Sequence, residues 1–238
     1  LSQALETAVG SAETSAQLPT TLPSSPPIEI ATTAPTELPL EGTELNLGGV
    51  YMVIPPCLPV TASGVIAAAQ PQGEGPGSVW PQHRLITYSG YPLSGKIFEP
   101  MMRVFPVADY AAVWEYSTNQ VTELQNLLAT RPAEVAESLP FLPGQGAAQV
   151  FHIKMRYIDF QNGSGVAYLT EYAQYIAPFN NYDLFYTFQG LTSDGRYWIS
   201  AILPINHAIL PPAFDSTEVP AGGLPIPQMT SLTSETDM

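Results

Sequence analysis

The N-terminal segment of the chain carries too many prolines to form a helix. Between Gln17 and Leu40, prolines occupy positions 19, 23, 26, 27, 35 and 39, and each one fixes φ and removes a backbone N–H donor. This spacing favours extended or polyproline II backbone. Because Ser, Thr and Glu fill many of the other positions, we expect residues 1–46 to be an extended acidic arm that precedes the folded domain.

One short segment of the arm has the pattern of a β-strand. It follows Pro27, contains no proline and begins with an apolar and polar alternation, in the order Ile28, Glu29, Ile30, Ala31 and Thr32. No neighbouring part of the arm has a pattern that offers it a partner strand. We therefore expect this segment to pair with another surface, and a neighbouring copy of the protein is the simplest candidate.

The charge balance excludes several classes of partner. The chain has 21 acidic and 7 basic residues, with a formal net charge of −14. Nucleic acid binding needs clustered Lys and Arg, and only Lys154 and Arg156 lie close together in the sequence. No apolar run approaches the roughly 20 residues of a membrane-spanning helix. Low Lys content, the Ser/Thr/Pro-rich arm and a start at Leu1 rather than Met predict a secreted, extracellular protein.

No residue pattern indicates a cofactor, a metal or a catalytic centre. The three histidines, His83, His152 and His207, are isolated from any second ligand at metal-binding spacing. Gly163-Ser164-Gly165 lies between two predicted strands rather than at the strand-to-helix turn of a serine nucleophile. Cys57 is the only cysteine, and its apolar neighbours predict a buried, inert thiol, with an intermolecular disulfide or a reactive thiol as the alternatives. We predict a protein that is not an enzyme.

Residues 47–211 have the pattern of one α+β domain: an antiparallel sheet with one long helix packed on it. The helix is predicted from about Ala108 to Thr130 by apolar residues at helical spacing, and a short helix over 133–138 follows it. Strands are predicted over 45–54, 60–69, 79–88, 96–107, 150–160, 166–177, 184–191 and 196–204. Residues 212–238 form a polar C-terminal tail.

Two turn signals join the last four predicted strands into hairpins. Gln161-Asn-Gly-Ser-Gly165 is predicted to turn through residues at positive φ, and Ser193-Asp-Gly195 is a second signal of the Asp-Gly type. In the strand before the first turn, Phe151, Ile153, Met155 and Tyr157 alternate with His152, Lys154 and Arg156, which predicts two opposite faces. Glu171 on the next strand is the expected ion-pair partner of Lys154 and Arg156.

About half of the chain resembles a known group of proteins. The segments concerned are Phe141-Leu-Pro, Val150-Phe-His, Tyr157-Ile-Asp-Phe-Gln-Asn-Gly-Ser-Gly165, Leu184-Phe-Tyr-Thr-Phe-Gln-Gly-Leu191 and Ile199-Ser-Ala-Ile-Leu-Pro204. They resemble uncharacterised secreted or lipid-anchored bacterial surface proteins with a Ser/Thr/Pro stalk. The resemblance implies a bacterial cell-surface setting and brings no active site with it.

These observations leave two main hypotheses of function. The first is a structural subunit of an extracellular homopolymer, in which the arm of one copy docks on or adds a strand to the next. The alternative is a stalked surface module that binds a glycan or a protein through aromatic residues of the sheet, namely Tyr168, Tyr172, Tyr175 and Tyr182. A hydrolase whose site is assembled from distant residues is a third, weaker hypothesis.

Overall fold

Seven antiparallel strands form one sheet, and two helices cover one of its faces. The structure is a computed structural model that describes residues 41–174, 178–216 and 220–222. The strands are β1 (Thr43–Leu47), β2 (Val50–Ile54), β3 (Thr61–Ala67), β4 (His83–Ser89), β5 (Met101–Pro106), β6 (Ala148–Phe160), β7 (Gly163–Ala173), β8 (Phe185–Thr192) and β9 (Tyr197–Pro204); the helices are α1 (Val107–Val113) and α2 (Ser117–Thr130). The predicted antiparallel α+β architecture is confirmed.

The order of strands in the sheet is β3-β4-β5-β9-β8-β7-β6. The first three strands are consecutive neighbours, and the chain then passes through α1 and α2 to the far edge of the sheet. From there β6, β7, β8 and β9 return towards the centre, where β9 pairs with β5. The two edges of the large sheet are therefore β3 and β6.

The single long helix predicted from about Ala108 to Thr130 is wrong, because two helices occupy this stretch. The first ends at Val113, and Trp114 adopts an extended conformation with φ −152° and ψ 97°. No Pro or Gly marks the break. The rings of Tyr110, Trp114 and Tyr116 instead pack in series, with centroids 6.0 and 5.2 Å apart. Tertiary packing of these rings overrides the helical pattern of the sequence here.

The short helix predicted over residues 133–138 is also wrong. The backbone of this segment bonds to side chains of β6 rather than to itself. The Pro132 carbonyl accepts a hydrogen bond from Tyr157 Oη at 2.9 Å, and the Val135 carbonyl lies 2.9 Å from His152 Nε2. Carbonyl groups that a helix would satisfy internally thus find partners on the neighbouring strand.

The main core lies between the helices and the sheet. Leu124 of α2 is fully buried against sheet residues that include Trp198 and Tyr168. The remaining buried members of this cluster are Phe105, Tyr110, Val121, Leu127, Leu139, Phe141, Leu142, Val166, Phe185, Leu191 and Ile202. Burial of this many large apolar side chains supplies the main driving force for the fold.

A β-bulge in β6 breaks the alternation that the sequence predicts. The pairing register with β7 shifts between Ile153 and Arg156, and Lys154 has a φ of +57°. Met155 and Tyr157 consequently pack against the helix-side core. The predicted common face of Phe151, Ile153, Met155 and Tyr157 is therefore wrong, since one extra residue moves the second pair to the opposite face.

The two predicted hairpins form, but they use glycine differently. In the β8–β9 hairpin, Gly195 has a φ of +69°, as an Asp-Gly turn requires. In the β6–β7 hairpin, a two-residue turn at 161–162 leads directly into β7. Gly163 and Gly165 lie within that strand at ordinary φ, so the prediction that this turn depends on positive φ is wrong. Both glycines lie close to β8. A Cβ would be 2.2 Å from the Leu191 carbonyl oxygen at Gly163 and 2.4 Å from Phe188 Cζ at Gly165.

A small hairpin, β1–β2, covers part of the other face of the sheet. Arg84 on β4 donates hydrogen bonds from Nε and Nη2 to the Gly48 carbonyl at the hairpin tip, at 2.7 and 2.5 Å. A Cβ on Gly64 of β3 would lie 2.6 Å from Leu47 Cδ2, so the hairpin and β3 approach closely. β1 begins at Thr43, four residues before the predicted start of the domain.

Candidate assembly edge and ligand cleft

The predicted assembly segment of Ile28, Glu29, Ile30, Ala31 and Thr32 lies outside the described residues. What the structure does describe is the set of surfaces that such a segment would meet. Four of them have the size or the open backbone to receive a partner: the two edges of the large sheet, a groove beneath the β1–β2 hairpin and a cleft beside α2.

The β3 edge is apolar and carries no charge. Its sequence is Thr-Ala-Ser-Gly-Val-Ile-Ala, with no Asp, Glu, Lys, Arg or Pro. Among the described residues it pairs only with β4, through a continuous register from Thr61 to Ala67. Val65 and Ile66 project to opposite faces and are 56% and 50% exposed. Proteins commonly block strand addition with charged residues, prolines or bulges on an edge strand, and β3 has none of these.

The β6 edge, in contrast, carries two such features, a bulge and charged side chains. It contains the bulge at Lys154, and charged side chains at Lys154, Arg156 and Asp159. Asp159 is further engaged in an ion pair with Arg131, which follows α2. Bulges and charges on an edge strand oppose the addition of another strand. The two edges of this sheet are therefore chemically different.

A groove of about 520 Å³ lies between the β1–β2 hairpin and the sheet. Its walls are largely apolar, with Met52 on the hairpin and Val104 and Ile199 on the sheet. Arg84 is the one charged side chain among the described residues that line it. This groove is a second surface that an apolar segment could contact.

A cleft of about 1080 Å³ lies between α2 and residues 132–149. Its deepest part is apolar and includes Leu127, Leu139 and Phe141, which are all buried. Trp114 and Tyr116 also line the cleft, and both lie in the short segment that separates α1 from α2. The break between the two helices therefore contributes two aromatic side chains to the cleft lining.

Two glutamines fix the walls of this cleft. The Gln120 Oε1 atom accepts a hydrogen bond from the Phe141 N–H at 2.8 Å, which ties α2 to the opposite wall. Gln149 accepts from the Leu139 N–H at 2.8 Å and donates to Tyr172 Oη at 2.9 Å. Because these side-chain amides bond within the protein, the shape of the cleft is set before any ligand arrives.

The charged side chains that line the cleft are all acidic. Glu123 lies on α2, and Glu134 and Glu137 lie on the opposite wall. No Lys, Arg or His is among the described residues that line it. An anionic ligand is therefore disfavoured here, whereas hydroxyl groups and cations find acceptors.

The four tyrosines predicted to bind a partner do not form one surface. Tyr168 is fully buried, and its hydroxyl donates to the Pro140 carbonyl at 3.3 Å. The prediction that Tyr168 contacts a ligand is therefore wrong, because the core encloses its side chain. Tyr172 is half-buried and lines the cleft. Tyr182 lies in a separate loop and is 39% exposed, and Tyr175 lies outside the described residues.

Glu171 is buried rather than paired with Lys154 or Arg156, so the predicted ion pair is wrong. Its exposed fraction is 1%, and it receives a hydrogen bond from the Asn180 N–H at 3.4 Å. Burial, together with the nearby Asp183 carboxylate, raises the pKa of Glu171 to about 7, even though the Asn180 N–H acts in the opposite direction. The bulge in β6 displaces Lys154 from the register that the sequence alternation predicts.

Cys57 is exposed, which contradicts the prediction of a buried thiol. Pro55 and Pro56 end β2 and lead into a surface turn, in which the Leu58 N–H donates to the Pro55 carbonyl at 3.0 Å. Within the described part of the chain, no three His, Cys, Asp or Glu side chains come together as a metal site. The described helices include none with the length and apolar character needed to cross a membrane.

Comparison with known proteins gives no match. No family model, no curated protein and no solved structure matches the chain. The fold defines the chain as an α+β protein with an open antiparallel sheet. Its β3 edge carries no charge, and the cleft beside α2 is lined by carboxylates.

The cleft is the feature that sequence reasoning missed. Its walls come from α2 and from residues 132–149, part of which is predicted to be helical, and two of its aromatic side chains lie at the unpredicted break after α1. A local signal was present only in the accumulation of Glu, Gln and aromatic residues between 114 and 149. That composition does not by itself indicate which residues face one another.

Proposed function

We propose that this chain is a non-enzymatic structural subunit of an extracellular polymer, assembled by docking of its N-terminal arm on a neighbouring copy. The observation that carries the proposal is the open, uncharged β3 edge in a protein whose sequence also supplies an extended arm with a strand-like segment. An open edge gains main-chain hydrogen bonds when a strand is added to it. A contact between an arm and a different surface is heterologous, and such contacts generate rings or open filaments.

The test compares the full chain with a variant that lacks residues 1–40, which stops short of β1. Both proteins are analysed by sedimentation velocity and negative-stain electron microscopy. The full chain is expected to form polymers, and the shortened chain to remain a folded monomer by circular dichroism. A variant that lacks residues 223–238 is the matched control, because it removes a different polar, proline-containing end. Polymers that persist without residues 1–40, or a full chain that stays monomeric, overturn the proposal.

A second candidate function, ligand binding by a stalked surface module, is favoured by the cleft beside α2. Tyr116 offers an exposed aromatic ring and the half-buried Trp114 lines the cleft beside it, while Glu134 and Glu137 offer acceptors for sugar hydroxyl groups. The ligand expected from this lining is a neutral glycan, because the three carboxylates of the cleft repel anionic saccharides. The sheet tyrosines have little part in this version, since Tyr172 alone of those described lines the cleft.

A glycan array with the full chain tests this second function. Tyr116, which is 52% exposed in the cleft, and Tyr182, which is 39% exposed outside it, provide matched variants. Binding that is lost in Tyr116→Ala and retained in Tyr182→Ala supports the cleft as a glycan site. Absence of binding to neutral glycans, or equal loss in both variants, rejects it.

A further inference from the structure

We infer that β3 is the strand that receives the arm, and that residues 28–32 of one copy add to its open edge in the next copy. This inference rests on the proposed function and adds to it the identity of both contacting strands. It concerns an interaction surface of which one side, β3, is described in atomic detail. The other side is identified by its sequence.

The backbone requirement of the arm favours a sheet edge over either cavity. An extended segment has no internal hydrogen bonds, so its N–H and C=O groups need partners when they leave water. The groove beneath the β1–β2 hairpin has largely apolar walls and offers few such partners. The outer side of β3 presents a row of backbone donors and acceptors that no other described strand occupies.

Side chains distinguish β3 from β6 as the receiving edge. A strand added to β3 covers Val65 on one face of the sheet and Ile66 on the other, and each is at least half exposed. The alternation of Ile28 and Ile30 with Glu29 and Ala31 places apolar atoms on both faces of the added strand. At β6, the bulge at Lys154 would interrupt the ladder after a few pairs.

Charge disfavours the cleft beside α2 but does not disfavour the β3 edge. β3 carries no charged side chain, and Arg84 on the neighbouring β4 bonds to the Gly48 carbonyl and lines the groove beneath the hairpin. The arm segment carries one charge, Glu29, and the whole arm is acidic. The cleft beside α2 is lined by three carboxylates and would repel the arm. Of the surfaces described, the β3 edge thus combines open backbone and apolar side chains, with no carboxylate to repel the arm.

Engineered cysteines in the full chain test the contact directly. In a Cys57→Ser background, one variant carries Ile30→Cys and is mixed with a second variant that carries either Ser63→Cys or Val65→Cys. The control partner carries Ile153→Cys on the β6 edge, because Ile153 is 51% exposed and so matches Val65 in type and exposure. Paired strands bring Cα atoms within the range that a disulfide needs. After mild oxidation, a disulfide-linked dimer is measured on a non-reducing gel.

The expected result is a mixed dimer with at least one of the β3 cysteines and none above background with Ile153→Cys. Cross-linking that is equal at both edges, or stronger at Ile153, overturns the assignment to β3. If the polymer forms and requires the arm while β3 does not cross-link, the proposed function stands and this inference fails. If no arm-dependent polymer forms at all, both fail.

A second pair of variants keeps the inference testable if a cysteine variant misfolds. Val65→Lys places a charge on the β3 edge, and Ile153→Lys does the same at β6, with folding checked by circular dichroism. Val65→Lys is expected to raise the protein concentration at which polymer appears by about tenfold or more, which corresponds to about 1.4 kcal/mol. Ile153→Lys is expected to leave that concentration unchanged. The reverse order of effects overturns the inference.

Discussion

Gln189 and Trp198 lie side by side in the core, and the indole Nε1 donates a 2.8 Å hydrogen bond to Gln189 Oε1 while neither residue is exposed to solvent. The same oxygen accepts from the Leu142 N–H at 3.2 Å. The Gln189 Nε2 atom donates to Thr187 Oγ1 and Ser200 Oγ at 2.9 and 3.0 Å. One buried amide therefore joins β8, β9 and the segment after α2, with every donor and acceptor satisfied.

Replacing this amide with an apolar side chain is expected to destabilise the protein strongly. Gln189→Leu leaves Trp198 Nε1 and the Leu142 N–H buried without partners, and each such group costs about 1–3 kcal/mol. The expected loss in the free energy of unfolding is about 2–4 kcal/mol, measured by urea denaturation. Gln174→Leu removes an exposed bond to the Gly146 carbonyl and is the control. Similar losses for both variants would contradict the role of the Gln189 network.

Local signals in the sequence predicted the parts of the fold that depend on a few adjacent residues. The Asp194-Gly195 turn is one example, since its side-chain bonds and positive φ involve only neighbouring positions. The break at Trp114 and the bulge at Lys154 depend instead on packing partners that are distant in the chain. A helical or alternating pattern continues through both points, so the sequence alone does not reveal them.

The same distinction applies to the candidate sites. The apolar character of β3 is visible in its sequence, but its position at an edge depends on the order of strands in the sheet. The burial of Glu171 depends on the loop that contains Asn180 and Asp183. The alternation of the strands alone therefore predicts a surface ion pair for Glu171, because it contains no information about this loop.

Glu171 is expected to make the stability of the protein decrease as pH rises. Its pKa is raised to about 7 in the folded state by burial, so the folded protein binds this proton more tightly than the unfolded chain. The resulting stabilisation is complete below the ordinary pKa of Glu and is lost between about pH 4.5 and pH 7. The change is up to about 3 kcal/mol. It is measured as the free energy of unfolding at a series of pH values.

Glu171→Gln removes this titration while preserving the shape of the side chain. The variant is expected to be more stable than the parent protein at pH 8, and its stability is expected to vary less between pH 5 and pH 8. Glu99→Gln, at an exposed carboxylate, is the control and is expected to retain the pH dependence of the parent. If Glu171→Gln and the parent show the same pH profile, Glu171 is not the group responsible.

Gly165 is expected to be intolerant of alanine because of close packing. A Cβ at this position would lie 2.4 Å from Phe188 Cζ and 2.7 Å from the Gln189 carbonyl oxygen. The backbone oxygen belongs to a paired strand and has little freedom to move. Gly165→Ala is expected to lower the free energy of unfolding by about 1–3 kcal/mol in urea. Ser164→Ala, one position earlier, is the control, and an equally large effect there would argue against steric crowding as the cause.

Arg84 is expected to hold the β1–β2 hairpin on the sheet. Its guanidinium donates to the Gly48 carbonyl through two nitrogens and lies 5.3 Å from the centre of the Tyr197 ring. Loss of these contacts removes about 1–1.5 kcal/mol from hairpin closure, so Arg84→Ala is expected to speed amide exchange in β1 and β2 by roughly fivefold to tenfold. Hydrogen–deuterium exchange by mass spectrometry measures this, with β8 as the internal reference.

Two variants separate the geometry of the Arg84 contact from its charge. Arg84→Lys keeps the charge but loses the two-nitrogen fork, so its exchange rate in the hairpin is expected to lie between those of the parent and Arg84→Ala. Arg156→Ala removes a charge from β6 at a position that does not line the groove beneath the hairpin, and is expected to leave β1 and β2 unchanged. Unaltered exchange in Arg84→Ala would show that other contacts, such as Leu47 against Gly64, hold the hairpin in place.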